Sequence, residues 1–516
     1  MTDRARTVTR SASRVSFAFA KTRFTVPFSK PASLVRATAA AVSLLAGTTP
    51  VFAQAEPPAG LRAATDRLLA EPALRQARIG YAVIDVASGR VVDELDGSRA
   101  FVPASLAKVP TTATALAVLG EDHRFVTRLV AEGRVVDGSL RGDLVVVGGG
   151  DPSLGAGRPT GALDLGAVLT RWVEAVRRAG IRRIDGSVIG VDALDPGAEP
   201  SPYWQWNDIG NYYGAGAGAL MIHENFYALQ LARTAAEGGR PAIVGTEPEV
   251  SGLTWTNDLT SGPSGSGDQS YIFGAPRTYE RVIRGTIPAG RGVYRVKGSL
   301  PDPALQTAQW LTAAIRSAGI EVAGEPAVRS EPRPGGTPEA RELDAYASPP
   351  LRELARLTNF RSVNVIAEAL YAALAREWLG GADDPEAVGE RLAGYWAGRG
   401  VRVDGWEQLD GSGLSMRSLT TPRQLARVLA LAHDRGFAKL LPRAGAEGTV
   451  RSVLRGRPEA KRLRLKSGTL SRSRGFAGYA KTPDGRTLAF AIVANNFDGG
   501  RATRRAMTEW LTALVR

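Results

Sequence analysis

The chain of 516 residues has no cysteine and only three histidines, and just eight of its 65 basic residues are lysines. Without cysteine there is no disulfide framework, thiolate-bound metal, thiol nucleophile or lipidated cysteine. His123, His223 and His433 stand outside any G-x-S-x-G or H-E-x-x-H pattern, so neither a histidine-based triad nor a zinc site is expected. A P-loop is also missing, and the run G-A-G-A-G at 214–218 lacks the spacing of a dinucleotide loop. The expectation is a protein that needs neither cofactor nor metal.

What is present suits a globular protein of two or three domains: 44% hydrophobic residues, with 59 glycines and 31 prolines as punctuation. The first 36 residues carry eight basic side chains against the single acid Asp3, followed by the apolar run A-T-A-A-A-V-S-L-L-A-G-T and then V-F-A-Q-A at 51–55. That order reads as a secretory signal over residues 1–55, with an apolar run too short to span a membrane comfortably. A periplasmic or extracellular location follows. The leader also accounts for half of the formal net charge of +14, leaving +7 on the rest. The remaining bases read as dispersed, without a Lys/Arg block or interleaved aromatic platform. A basic surface suited to an anionic polymer or envelope is expected, and nucleic-acid binding is not.

Residues 59–77 read as a helix broken at Pro72. I-G-Y-A-V-I-D-V and V-V-D-E-L then form a hairpin around A-S-G-R. The far end mirrors this, with G-F-A-G-Y-A-K-T and T-L-A-F-A-I-V-A-N-N around P-D-G-R, then a helix from about 502 to 515. The two ends are expected to share one sheet flanked by helices. Between them the texture changes to short apolar strands and glycine turns, interrupted by helical patterns near 165–179 and 303–318. The Pro/Gly-rich stretch 330–339 reads as a return linker. The organisation read from this is a first part at 56–125, an inserted region at 126–340 and a second part at 341–516.

Three short patterns carry the chemistry: S-x-x-K at Ser105–Lys108, S-x-N at Ser362–Asn364, and K-[ST]-G at Lys466–Gly468, followed by Thr469. Each alone is weak. Ser105 could be a helix cap, Ser362 and Asn364 helix-start residues, and K-S-G-T a turn. Together and in order they are specific. Two of the eight lysines occupy them, and arginine could not replace Lys108 as a base because its guanidinium stays protonated. Residues three apart lie on one helix face, so Ser105 Oγ and Lys108 Nζ can meet. A serine hydroxyl needs such a base, and burial together with a neighbouring Lys466 would favour the neutral amine. One feature sits awkwardly: a helix starting near Ala104 puts Pro110 just past the tolerant first turn, where proline costs about 3 kcal/mol.

With these motifs the chain resembles the penicillin-binding D,D-peptidases. G-D-L-V-V-V-G-G-G-D-P-S-L, W-Q-W-N-D, G-A-G-A-G-A-L-M-I-H-E-N-F-Y-A-L and L-D-G-S-G-L-S are similar to the class C, low-molecular-mass D-alanyl-D-alanine carboxypeptidase/endopeptidase family. The resemblance spans the chain beyond the leader. It implies an α/β (α+β) fold of the serine β-lactamase/D,D-peptidase type, an antiparallel sheet flanked by helices, with a large, mainly β insertion between the first and second motifs. It implies an exported serine hydrolase acting on peptidoglycan stem peptides ending in D-Ala-D-Ala, or on D,D cross-links, through an acyl-enzyme on Ser105. β-Lactam antibiotics would be covalent inhibitors. Lys108 would be the base, Ser362 a proton relay and Asn364 an orienting amide. Lys466, with Ser467, Gly468 and Thr469, would receive the terminal carboxylate. The N–H groups of Ser105 and Thr469 would form an oxyanion hole. By the same resemblance Asp208 and Tyr213 would line a pocket for the amine-bearing end of the stem. Many relatives have arginine after G-L-S; here Met416 stands there and Arg417 follows, so Arg417 is the candidate for that contact. A β-lactamase and a non-catalytic peptidoglycan-binding protein of the same fold are the competing readings.

Overall fold

The computed structural model describes residues 56–192, 200–331, 339–380 and 384–516. The leader lies outside the described residues, as does most of the 330–339 linker.

The two ends of the chain meet in one five-stranded antiparallel sheet, in the order Leu463–Leu470, Ser473–Lys481, Thr487–Asn495, Arg78–Asp85, Val91–Leu95. Strands some 400 residues apart pair residue for residue, from Arg78 opposite Asn495 to Asp85 opposite Leu488. Successive side chains on a strand point to opposite faces, so a buried strand must be apolar on both. Leu488, Phe490 and Ile492 pack with Tyr81, Val83, Trp510 and Leu514 under the terminal helices Leu61–Leu69 and Gly500–Ala513. Ala489, Ala491 and Val493 instead join Val109, Leu370, Leu425 and Leu429 on the other face, beneath helices Lys108–Val118, Asn364–Leu379 and Pro422–Ala432. The K-S-G-T segment lies in the outermost strand of this sheet.

The insertion opens with strands Val126–Val136 and Ser139–Val147, paired antiparallel. It continues through helices Leu165–Arg178 and Pro303–Ser317 and two separate three-stranded sheets. Strand Ala340–Ala347 pairs antiparallel with Val126–Val136. The chain therefore returns beside the point where it left.

Pro110 proves harmless. Residues Ala104–Ala107 form a 3₁₀ turn and the α-helix starts only at Lys108, which puts Pro110 in its first turn, where N–H groups have no intrahelical partner to lose. The expected interior-proline penalty does not arise. No helix among the described residues is long and apolar enough to cross a membrane.

Candidate active site

The 3₁₀ turn holds Ser105 above the helix that begins with Lys108. Its geometry is forced: Ala104, fully buried, sits at a left-handed φ of 50°. Such a conformation costs on the order of 1 kcal/mol and persists only where surrounding contacts impose it. Two glycines make room for the turn. A Cβ on Gly413 would lie 2.0 Å from the Ala104 carbonyl oxygen, and one on Gly468 would lie 2.8 Å from that of Pro103. The edge strand and the D-G-S-G loop thus press on the Ser105 turn from two sides.

Lys108 is completely buried, and its Nζ has three oxygen neighbours: Ser105 Oγ at 3.0 Å, Asn364 Oδ1 at 2.7 Å and the Ser412 carbonyl at 2.7 Å. Burial pulls its pKa down to about 8, against the opposing fields of Glu368 and Asp410. Ser362 is the left-handed residue (φ 59°) joining helices Leu351–Arg361 and Asn364–Leu379, so Asn364 opens the second helix facing Lys108. Lys466, also fully buried, donates from Nζ to Ser362 Oγ at 2.9 Å and to the Ser467 carbonyl at 2.6 Å. Desolvation, reinforced by the charge of Lys108, pulls Lys466 well below an ordinary lysine. Ser467 Oγ lies 2.8 Å from Thr449 Oγ1, and Thr469 is exposed beside the hairpin turn into strand Ser473–Lys481.

The structure therefore brings the three motifs into one cluster. It also adds members that local patterns did not reveal. The Glu368 carboxylate accepts N–H bonds from Gly411 at 2.9 Å and Ser412 at 2.8 Å, while Thr111 Oγ1 donates to the Gly411 carbonyl at 2.9 Å. These bonds pin the loop whose Ser412 carbonyl meets Lys108. Burial and the neighbouring Asp410 push the Glu368 carboxyl upward. Glu368 follows Asn364 by four positions, one helical turn on the same face. That spacing was the available signal. Asp410, buried, accepts from the Gly413 and Ser415 N–H groups (2.9 and 2.7 Å) and from the Trp204 indole (2.8 Å). The last bond fastens the W-Q-W-N-D segment to the D-G-S-G loop.

On the rim, the Tyr213 carbonyl accepts from Asn364 Nδ2 at 2.7 Å, which brings this part of the insertion to the second motif. The Tyr213 hydroxyl is bonded to Asp208, whose pKa is raised by desolvation against that bond. Arg417 is engaged elsewhere, with its guanidinium 4.5 Å from the Tyr203 ring centre and 3.5 Å from Glu407 Oε1. Met416 is exposed and receives the Gln205 amide at its sulfur, 3.2 Å away. No cluster of potential metal ligands occurs among the described residues.

The chain as a whole is similar to known proteins. The family model described as D-Ala-D-Ala carboxypeptidase 3 (S13) matches residues 61–514. A D-alanyl-D-alanine carboxypeptidase of Actinomadura sp. (strain R39) is 30% identical over 475 residues, covering 88% of this chain and 85% of its own. D-alanyl-D-alanine carboxypeptidase DacB of Haemophilus influenzae is 24% identical, covering 82% and 86%. The crystal structure of penicillin binding protein 4 (dacB) from Haemophilus influenzae superposes with a TM-score of 0.73 at 21% identity, covering 88% of this chain and 97% of that one. The fold is thus that of the D,D-peptidases, an antiparallel sheet between helices with a large insertion, and the chain belongs to the D-Ala-D-Ala carboxypeptidase 3 (S13) family.

Proposed function

We propose that the protein is an exported serine D,D-peptidase that cleaves the terminal D-Ala-D-Ala bond, or a D,D cross-link, of peptidoglycan stem peptides through a Ser105 acyl-enzyme. The observation that carries this reading is the environment of Lys108. A neutral amine has two N–H donors and one lone pair. Asn364 Oδ1 and the Ser412 carbonyl, both at 2.7 Å, can accept only the former, so the lone pair is left for Ser105 Oγ at 3.0 Å. Ser105 Oγ attacks the carbonyl carbon of the penultimate D-Ala and its proton passes to Lys108. The N–H groups of Ser105 and Thr469 are assigned to the oxyanion that forms. When the C–N bond breaks, the leaving amine takes a proton through Ser362 Oγ, which Lys466 supports from 2.9 Å. Water then attacks the ester, and the same groups return Ser105 to its free form.

Lys466 is held back from charging while buried alone. A substrate carboxylate brought beside it raises its pKa again, so binding of the C-terminal D-Ala itself favours the ammonium form, with Ser467, Gly468 and Thr469 lining that end. Asp208 and Tyr213 are assigned to the amine-bearing end of the stem, by charge pairing with the carboxylate. Penicillins are expected to acylate Ser105 and to leave slowly.

The test is covalent labelling by a fluorescent penicillin, with mass analysis of the products from purified peptidoglycan. The expected result is labelling that Ser105→Ala abolishes, together with release of D-Ala or of monomeric muropeptides. Rapid hydrolysis of penicillin would make the protein a β-lactamase. A wild type that neither labels nor releases product would leave only a binding role.

A further inference from the structure

The bases beyond the leader, read as dispersed, in fact include one dense run, and the fold turns its charges outward. Over residues 451–464, R-S-V-L-R-G-R-P-E-A-K-R-L-R, six bases stand against one acid, Glu459. Those 14 residues therefore carry +5 (six minus one), out of +7 for residues 37–516 (+14 for the chain minus +7 for its first 36). Arg451, Arg455, Arg457, Lys461 and Arg462 are all exposed, and among the described residues none of these five forms an ion pair. Glu459 is paired instead with Arg516, at 3.0 Å.

The apolar residues of the segment turn inward. Val453, Leu454, Ala460 and Leu463 all belong to the core under the terminal helices. What remains outside is charge without an exposed large apolar side chain to insert into a bilayer. The segment also has a fixed place relative to the cleft. Thr449, two residues before Arg451, meets Ser467 of the K-S-G-T strand at 2.8 Å, and the far end of the segment runs directly into that strand at Leu463. Arg504 of the C-terminal helix holds the segment down through Ser452 Oγ at 2.6 Å. Cations clustered on a segment held beside a substrate cleft attract a polyanion by releasing its counterions, and the attraction falls steeply with salt.

We infer that the 451–464 segment is a docking surface for an anionic polymer, a chain of repeating phosphodiester groups. Such a surface would hold the protein on a polymer-bearing wall while a neighbouring stem peptide enters the cleft. Seen from its chemistry, the ligand needs several closely linked anions and no apolar part. Docking requires no acylation, so the Ser105→Ala variant must dock as the wild type does, and the surface stands or falls separately from the catalytic reading.

The test measures binding of the full chain to fluorescent poly(glycerol phosphate), to uncharged dextran, and to vesicles of phosphatidylglycerol and phosphatidylcholine over a range of salt. The expected result is binding to the phosphate polymer, none to dextran, and a slope of about −3.5 in log affinity against log salt, from five contacts at roughly 0.7 each. The combined variant Arg455→Glu, Arg457→Glu, Lys461→Glu, Arg462→Glu should lose at least about tenfold in affinity while its penicillin acylation rate stays unchanged. The corresponding four-fold replacement by Gln, which removes charge without reversing it, should fall between. Retention of polymer affinity in both variants would overturn the proposal, as would vesicle binding without polymer binding.

Discussion

The floor and the rim of the cleft are built in opposite ways. On the floor Lys108 is enclosed by groups from several elements: Ser105 from the 3₁₀ turn, Asn364 and Glu368 from one helix, Ser412 from the D-G-S-G loop. Nothing there can shift without unmaking several buried bonds. The rim, from Tyr203 to Tyr213 and at Met416–Arg417, is anchored by the buried Trp204 indole and the Tyr213 carbonyl, but its outward side chains are half-exposed rings and groups that reach one another across the surface. Chemistry that must position a lone pair needs the first kind of structure. Recognition that must admit different peptide ends tolerates the second. Substitutions on the floor should therefore act on the rate of acylation, and those on the rim on the choice of substrate.

The largest effect should come from Lys108→Arg. Arginine keeps the charge but cannot give up its proton, so the base is lost while the cation remains. General-base catalysis contributes about 10²–10⁴-fold, and penicillin acylation measured by stopped-flow or gel labelling should fall by about that factor. A loss of less than about tenfold would mean that another group takes the Ser105 proton.

Glu368→Gln probes the floor one step removed. The Gln side chain can accept only one of the two N–H bonds from Gly411 and Ser412, so the Ser412 carbonyl is held less firmly. A loss of about 10-fold in acylation is expected, corresponding to roughly 1.4 kcal/mol for a hydrogen bond to a charged group. The pH profile separates positioning from simple damage. Lys108 must be neutral to act and has a pKa of about 8, so the wild-type rate should rise with pH and level off above that value. The Glu368 carboxylate opposes this lowering. Its removal leaves burial less opposed, and the rising limb should move to lower pH even as the plateau drops. A plateau that drops with the limb unmoved would count against Glu368 acting through Lys108.

How much of this was visible in the sequence follows the same division. The three motifs and the alternation in T-L-A-F-A-I-V-A-N-N were legible because each is local: a helical turn, a strand, a fixed order. The shared sheet of the two chain ends followed from those patterns. For Glu368 the spacing from Asn364 was the one signal and did not reveal its role, because its partners are backbone groups 43 and 44 positions away in sequence and are brought near only by the fold. The left-handed Ser362 was hidden for a different reason, since S-V-N offered a helix start at most and not a left-handed joint between two helices. Pro110 misled because an extra 3₁₀ turn displaces the helix start by four residues. The basic run at 451–464 was there to be read, but its apolar residues alternate with the charges and masked it until their burial was known.

On the rim, Asp208→Asn should discriminate between substrates. Removing the carboxylate's charge deletes its attraction for an amine-bearing stem end, at a cost of about 1 kcal/mol, or roughly fivefold in KM, for a partly exposed pair. Penicillin has no such end, and its acylation rate should stay within about twofold. Equal losses on both substrates would show that Asp208 supports the loop rather than recognising the stem.

The smallest effect is expected for Arg417→Ala. Its guanidinium already has the Tyr203 ring and Glu407, so a substrate carboxylate would have to draw it away from both. Those contacts are exposed and worth little singly, about 0.5–1 kcal/mol for the ring and less for the ion pair. Stability should therefore drop by no more than about 1 kcal/mol in a thermal melt, and the rate of D-Ala release should change by less than about twofold. A tenfold loss in D-Ala release with the melt unchanged would mean that Arg417 leaves Tyr203 on substrate binding. In that case the rim would share the floor's task of holding the substrate in place, and the division between the two regions would fail at this residue.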